Sequence, residues 1–295
     1  MTALLSAVFV RLRGVLTDPM FAVSVLFNAV LCASAPVYTD PVSMNEYTAF
    51  NALFYFSRAD MLSDTAFSAP AVLRCCGGGW LGLFLPITAA FAWAQCFCVR
   101  RESGVLRFEA VRQSRFSHAC ADFLSGLIAG AVGCLLGLLL FAGAVYLLYP
   151  AFTDYAEPLR TEYLTFQQML TGNAPETAFG AVLAERAVCL MLCGISYAAP
   201  AIVLGSVVRS PFTVLCIPFF FAYALQSLLD AMPFDALPES GLRWRAAIRP
   251  GALLYASAAA PGLSQIMLVR ALLVLGCFAV FLAVRTAQTD QGGAA

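Results

Sequence analysis

Long apolar runs separated by short charged connectors dominate the chain. Six of them are long enough to cross a bilayer: Met20–Pro36, Trp80–Val99, Phe123–Tyr149, Ala187–Val208, Pro211–Leu229 and Ile266–Val284. A helix needs about 17–25 apolar residues to traverse a hydrocarbon core, so each run predicts one spanning helix. The third is longer and predicts tilt or projection. Residues 1–19 are patterned differently. Leu4, Leu5, Val8, Phe9, Leu12, Val15 and Leu16 share one helical face, whereas Ser6, Arg13 and Thr17 lie elsewhere. Such a helix lies in the membrane interface with its Arg side chains among the headgroups, and Asp18-Pro19 ends it and starts the next. Arg11, Arg13, the apolar run and Ala33-Ser34-Ala35 also outline a secretory signal. Pro36 directly after the small residues, and a whole helix ahead of the run, favour an uncleaved span instead. Gly251–Leu263, bounded by Pro250 and containing Pro261, is too short to cross and predicts a re-entrant or interfacial segment.

The expected fold class is therefore all-α: a polytopic membrane protein of six transmembrane helices, with an N-terminal interfacial amphipathic helix and a re-entrant segment before the last helix. Residues 1–19 form the interfacial helix, 20–286 the transmembrane domain and 287–295 a flexible C-terminal tail. Between the spans lie longer segments near 37–79, 150–180 and 230–265. The first, with Tyr47, Phe50, Phe54, Tyr55 and Phe56 beside Asp40, Glu46, Asp60 and Asp64, predicts a small helical cap.

Composition supports lipid as the solvent. Hydrophobic residues make up 61% of the chain, charged residues 12%, and the mean hydropathy is +0.82; soluble domains carry about 25% charged residues. The formal net charge is zero, which provides no basic footprint for nucleic acid. All 17 basic residues are Arg. Without Lys the chain cannot build a P-loop, whose Lys reaches the terminal phosphates. With the N-terminus inside, the inner segments hold nine Arg against five acids and the outer ones eight against twelve. By the positive-inside rule both termini are expected in the cytoplasm. Most of the 11 Cys fall inside apolar runs, where a thiol packs as a small hydrophobe. Cys96/Cys98 and Cys189/Cys193 have the spacing of metal pairs, but a single His and no second ligand pair leave no metal expected. Cys75-Cys76 lies in an outer segment, where a disulfide is conceivable although loop partners for a framework are missing.

The connector after the second span carries the most specific pattern. Arg100-Arg101-Glu102-Ser103-Gly104 comes straight off a membrane helix, Val105, Phe108 and Val111 then recur on one side of a short helix, and Ser114-Arg115 closes it. An amphipathic helix lying across the cytoplasmic face suits a groove on a soluble partner. Here the chain resembles the permease subunits of ABC-2 type transporters, in which an E-x-G…S-R segment after the second helix is the coupling helix that contacts the ATPase. Glu102, Gly104, Ser114 and Arg115 are the matching positions, and the resemblance extends to the interfacial helix, the six spans and the broken segment before the last. Family members usually carry a Lys shortly after the S-R pair, where this chain has Asp122; its outer segments are also longer, which suggests a specialised outer gate or substrate contact. The resemblance implies a coupling helix over about 101–115 with Arg101, Glu102, Gly104, Val105, Phe108, Val111, Ser114 and Arg115 facing the ATPase. It further implies partner P-loop ATPase subunits that bind ATP and Mg, no cofactor on this chain, a second permease copy or paralogue, and an exporter. The alternative is a non-transporting membrane scaffold, immunity or sensor subunit.

Other residues change this picture little. Gly126/Gly130 and Gly133/Gly137 are small-x-x-x-small pairs that permit close helix packing. Glu185 and Arg186 near the outer end of the fourth span are expected to snorkel to the interface, with an external ionic gate as the sharper alternative. Arg243, Arg245 and Arg249 beside Trp244 predict interfacial anchoring, with recognition of an anionic substrate as the alternative. His118 reads as an interfacial residue, because a proton relay needs ionisable partners at depth and none is evident in sequence. With no Ser/His/Asp set, no H-E-x-x-H and no carboxylate pair in a span, no enzyme is expected.

Overall fold

The computed structural model describes residues 2–102, 114–171, 177–208, 210–232, 239–255 and 263–291. Helix α1 (Thr2–Leu16) ends at Asp18, which caps α2 (Pro19–Ala33) by accepting the Met20 N–H at 2.9 Å, while Pro19 occupies the first turn where its missing N–H costs nothing. The two helices are bent by 71°. A hairpin follows, β1 (Pro36–Thr39) antiparallel to β2 (Glu46–Thr48) in the register Pro36↔Thr48, Tyr38↔Tyr47 and Thr39↔Glu46. Short helices α3 (Ala49–Tyr55), α4 (Arg58–Met61) and α5 (Ala69–Cys75) complete a cap over this end of the bundle. Then come α6 (Leu81–Glu102), α7 (Arg115–Leu148), α8 (Glu157–Thr171), α9 (Phe179–Val207), α10 (Pro211–Ala231), α11 (Glu239–Ile248), α12 (Ala252–Tyr255) and α13 (Leu263–Gln291).

Among the described residues five helices, α6, α7, α9, α10 and α13, are long and apolar enough to cross a membrane, and a sixth crossing exists only if the bent α1–α2 pair counts as one. The helix at the expected first span, α2, counts toward a crossing only together with α1. α2 has 15 residues, about 22 Å at the helical rise, short of a hydrocarbon core of about 30 Å. The segment at 37–79, expected as a small helical cap, is not purely helical. Tyr38 and Tyr47 pair across the hairpin, and Tyr38, Phe56 and Phe67 pack ring to ring with centroids 4.9–5.7 Å apart. Strands this short show too little alternation to be read from sequence. The hairpin loop is held by Asp40, whose carboxylate accepts from the Val42 N–H and the Ser43 hydroxyl; those bonds, the hydroxyl foremost, keep its carboxyl below the usual range. The last helix, α13, runs to Gln291, into the segment expected as a tail.

The core forms where α7 crosses α2, α6 and α9, with α1 lying along α7 and α13 along α9. Glycines set these crossings. A Cβ on Gly130 would lie 2.9 Å from the Gly194 carbonyl oxygen, and one on Gly137 would lie 2.5 Å from Asn28 Cβ. Hydroxyls at these crossings pair internally: Ser24 donates to the Thr88 carbonyl and the Thr88 hydroxyl to Asn28 Oδ1, both at 2.8 Å.

Candidate functional site

The first two turns of α7 carry a buried charge cluster. Ser114 caps the helix by accepting the Ser117 N–H at 3.3 Å. His118 and Asp122, one turn apart, then point into the protein, 5% and 1% exposed. Arg11 comes from α1, where it shares an inward face with Ala7, Val8 and Val15 and is itself 6% exposed. Its Nη1 donates to the His118 carbonyl at 2.9 Å, and its Nε lies 3.2 Å from Asp122 Oδ1. This second contact is an ion pair without hydrogen-bond alignment. Arg285, from the last part of α13, donates from Nη2 to Asp122 Oδ2 at 2.9 Å, and its guanidinium sits over the rings of Phe97 and Phe281 at 5.4 and 5.5 Å. His118 Nδ1 lies 3.2 Å from the same Oδ2. One carboxylate thus fastens three helices, α1, α7 and α13, at a single point.

Burying a carboxylate is unfavourable unless it is closely paired, so the cluster is stable only as a unit. Its geometry is that of a joint between helices. A guanidinium holds its charge throughout the accessible pH range, and no group of three or more His, Cys, Asp and Glu among the described residues could hold a metal ion.

His118, expected as an interfacial residue, is buried among ionisable partners that the sequence did not bring together. Part of the signal was legible. His118 and Asp122 are spaced i, i+4 at the start of an apolar helix, and Arg11 interrupts the face formed by Val8, Leu12 and Val15. The meeting with Arg285, 163 positions beyond Asp122, was not. α1 also differs from a helix lying freely in headgroups. Val8 and Val15 turn toward α7, whereas Leu5, Phe9 and Leu16 face outward.

Of the residues assigned to coupling, Arg101 and Glu102 end α6, Ser114 caps α7 and Arg115 begins it. Gly104, Val105, Phe108 and Val111 lie outside the described residues. Glu185 is half-buried on α9. Arg186 does not snorkel: it is 6% exposed and donates from Nη1 to the Leu254 carbonyl of α12 at 2.7 Å. It belongs to a second set of arginines that hold the chain between α11 and α13. Arg270 of α13 donates to the carbonyls of Arg249 and Pro250 at 2.5 and 2.8 Å, Tyr197 also donates to Pro250, and Arg249 pairs with Asp230. Arg245, expected as an interfacial anchor, is 5% exposed and donates to the Leu229 carbonyl. These cations cap the carbonyl ends of α10, α11 and α12. Arg186→Ala is expected to lower stability by about 1.5–3 kcal/mol, the worth of a charged hydrogen bond, and to speed hydrogen exchange over residues 252–255. Unchanged exchange there would show that Arg186 does not hold α12.

The architecture is that of a polytopic helical membrane protein. No protein-family model matches the chain, and no curated protein matches it.

Proposed function

We propose that the chain is the permease subunit of an ATP-driven ABC-2 type transporter, an exporter, working with a separate P-loop ATPase that supplies ATP and Mg chemistry and with a second permease copy or paralogue. In this reading the α1–α2 pair makes the sixth crossing, both termini are cytoplasmic in a bacterial-type inner membrane, α1 lies at the cytoplasmic interface and the segment at 251–263 is re-entrant on the outer side. The observation that favours it most is the position of the Asp122 joint. It lies within two turns of Ser114, where the connector from Glu102 returns to the bundle, and it ties α7 to α1 and α13. A displacement delivered to that connector would be passed to three helices together rather than absorbed by one. Coupling of this kind requires the connector to favour one state of the ATPase over the other, since equal binding to both shifts nothing.

The test is co-purification of the tagged chain from its own membranes, followed by hydrolysis measurements. A stoichiometric P-loop ATPase is expected to accompany the wild-type chain. The Glu102→Ala, Gly104→Pro variant is expected to lose most of that association, or to keep it while losing transport-coupled hydrolysis. Full association and hydrolysis in the variant would overturn the coupling assignment, and a wild-type chain that brings down no ATPase would overturn the permease itself.

A further inference from the structure

We propose that Cys32 and Cys76 are joined by a disulfide that staples the end of α2 to the end of α5 beneath the hairpin cap. Cys32 lies in the last turn of α2, and Cys76 is the residue that closes α5. Both are free thiols, 1% exposed, within one apolar cluster, and each is the dominant ionisable neighbour of the other.

The backbone just beyond each cysteine holds the two ends together. Gly79 has φ of +61°, and a Cβ there would lie 2.7 Å from the Ser34 carbonyl oxygen. A Cβ on Gly78 would meet Pro36 Cδ at 3.5 Å and Ala35 Cβ at 3.9 Å. Residues 34–36 and 78–79 are therefore in direct contact, and the two sulfurs sit only a few residues before that contact on either side. A larger residue at Gly79 would force the two chain ends apart, so the glycine serves the same close approach.

The surroundings favour exchange chemistry at one of the two sulfurs. The neighbouring Cys32 thiol, and then the charge of Arg186, pull the Cys76 thiol below its ordinary range against the opposing effect of burial. Cys76 is thus the attacking sulfur. Its thiolate attacks one sulfur of an incoming disulfide, carried by a disulfide-bearing oxidoreductase, to form a mixed disulfide and release one thiolate. Deprotonated Cys32 then attacks Cys76 Sγ, the Cys32–Cys76 bond closes, and the second thiolate leaves. Two electrons and two protons pass from the pair to the incoming disulfide. Because both sulfurs are buried in the finished fold, exchange precedes the final burial of the pair.

An oxidising compartment on this side follows from the orientation proposed above, whereas the contact between the sulfurs does not depend on it, and two samples separate the two. In the first, full-length protein is taken from membranes with free thiols blocked at lysis and mapped by mass spectrometry without reductant. A Cys32–Cys76 linked peptide, two hydrogens lighter than its reduced parts, is expected in the large majority of molecules. It should persist in Cys75→Ser and vanish in Cys76→Ser. In the second, unblocked detergent-solubilised protein is treated with diamide before mapping. A link that forms only in this sample overturns the native disulfide and counts against the external placement of this end. A link in neither sample overturns the contact itself and leaves the orientation untouched.

Discussion

Asp122→Asn is expected to lower the stability of the folded chain by about 3–5 kcal/mol, the usual consequence of removing one partner from a buried ion cluster. Asn keeps the shape of Asp but not its charge. Arg11, almost wholly buried on α1, is then left without the carboxylate beside its Nε, and Arg285 loses its partner at Oδ2. Of the two, Arg285 is the more exposed, its side chain 21% accessible, and can turn toward solvent; Arg11 cannot do so without α1 leaving α7. The first visible effect should therefore be local: hydrogen exchange across residues 2–16 rises by at least tenfold before the rest of the bundle melts. Arg11→Met should cost less, because Asp122 retains Arg285 and His118. Combining Arg11→Met with Asp122→Asn should recover part of the loss, since the stranded buried charge disappears with its partner. Exchange in residues 2–16 that is unaltered by Asp122→Asn would rule out the joint. If the chain is a permease, the same substitution should also lower coupled hydrolysis while leaving ATPase association largely intact, because the contact surface is untouched and only its connection to the bundle is loosened.

The second large effect is expected at the crossing of α7 and α9. A Cβ on Gly194 would sit 2.6 Å from the Gly130 carbonyl oxygen, and one on Gly130 would sit 2.9 Å from that of Gly194. Neither obstacle is the flexible end of a side chain, so the helices themselves must separate. Gly194→Ala should cost about 1–3 kcal/mol, and a larger residue such as Leu more. Gly194→Ala and Gly130→Ala together should cost less than the sum of the two, because both open the same contact. Gly143→Ala is the control on the same helix. Its Cβ would meet nothing within 4 Å, and the gain in helix propensity predicts a neutral or slightly stabilising change, up to about 1 kcal/mol. Thermal unfolding in detergent separates these outcomes. Equal melting temperatures for Gly194→Ala and Gly143→Ala would mean that α7 and α9 do not meet backbone to backbone.

Hydropathy alone determined a great deal of this protein. The five long helices announce themselves because lipid leaves a backbone no other partner than itself, so a run of about 20 apolar residues has essentially one stable conformation. Asp18-Pro19 was legible as a break because it depends only on neighbouring residues, whereas Ser114-Arg115, read as the close of the connector helix, instead starts α7. The glycines of α7 were legible as packing positions, but not their partners: Gly130 met Gly194, and Gly137 met Asn28. The hairpin was missed because its strands have four and three residues, too short for a period of two to register. What only the tertiary structure decided is the use of the charges. Arg11, Asp122, Arg186, Arg245 and Arg285 look in sequence like ordinary flanking or interfacial residues. Whether such a side chain reaches water or turns inward depends on which carbonyl or carboxylate a distant helix offers it. Asp122 finds Arg11 and Arg285 only because α1 and α13 both lie against the start of α7, and no local pattern in the chain encodes that meeting.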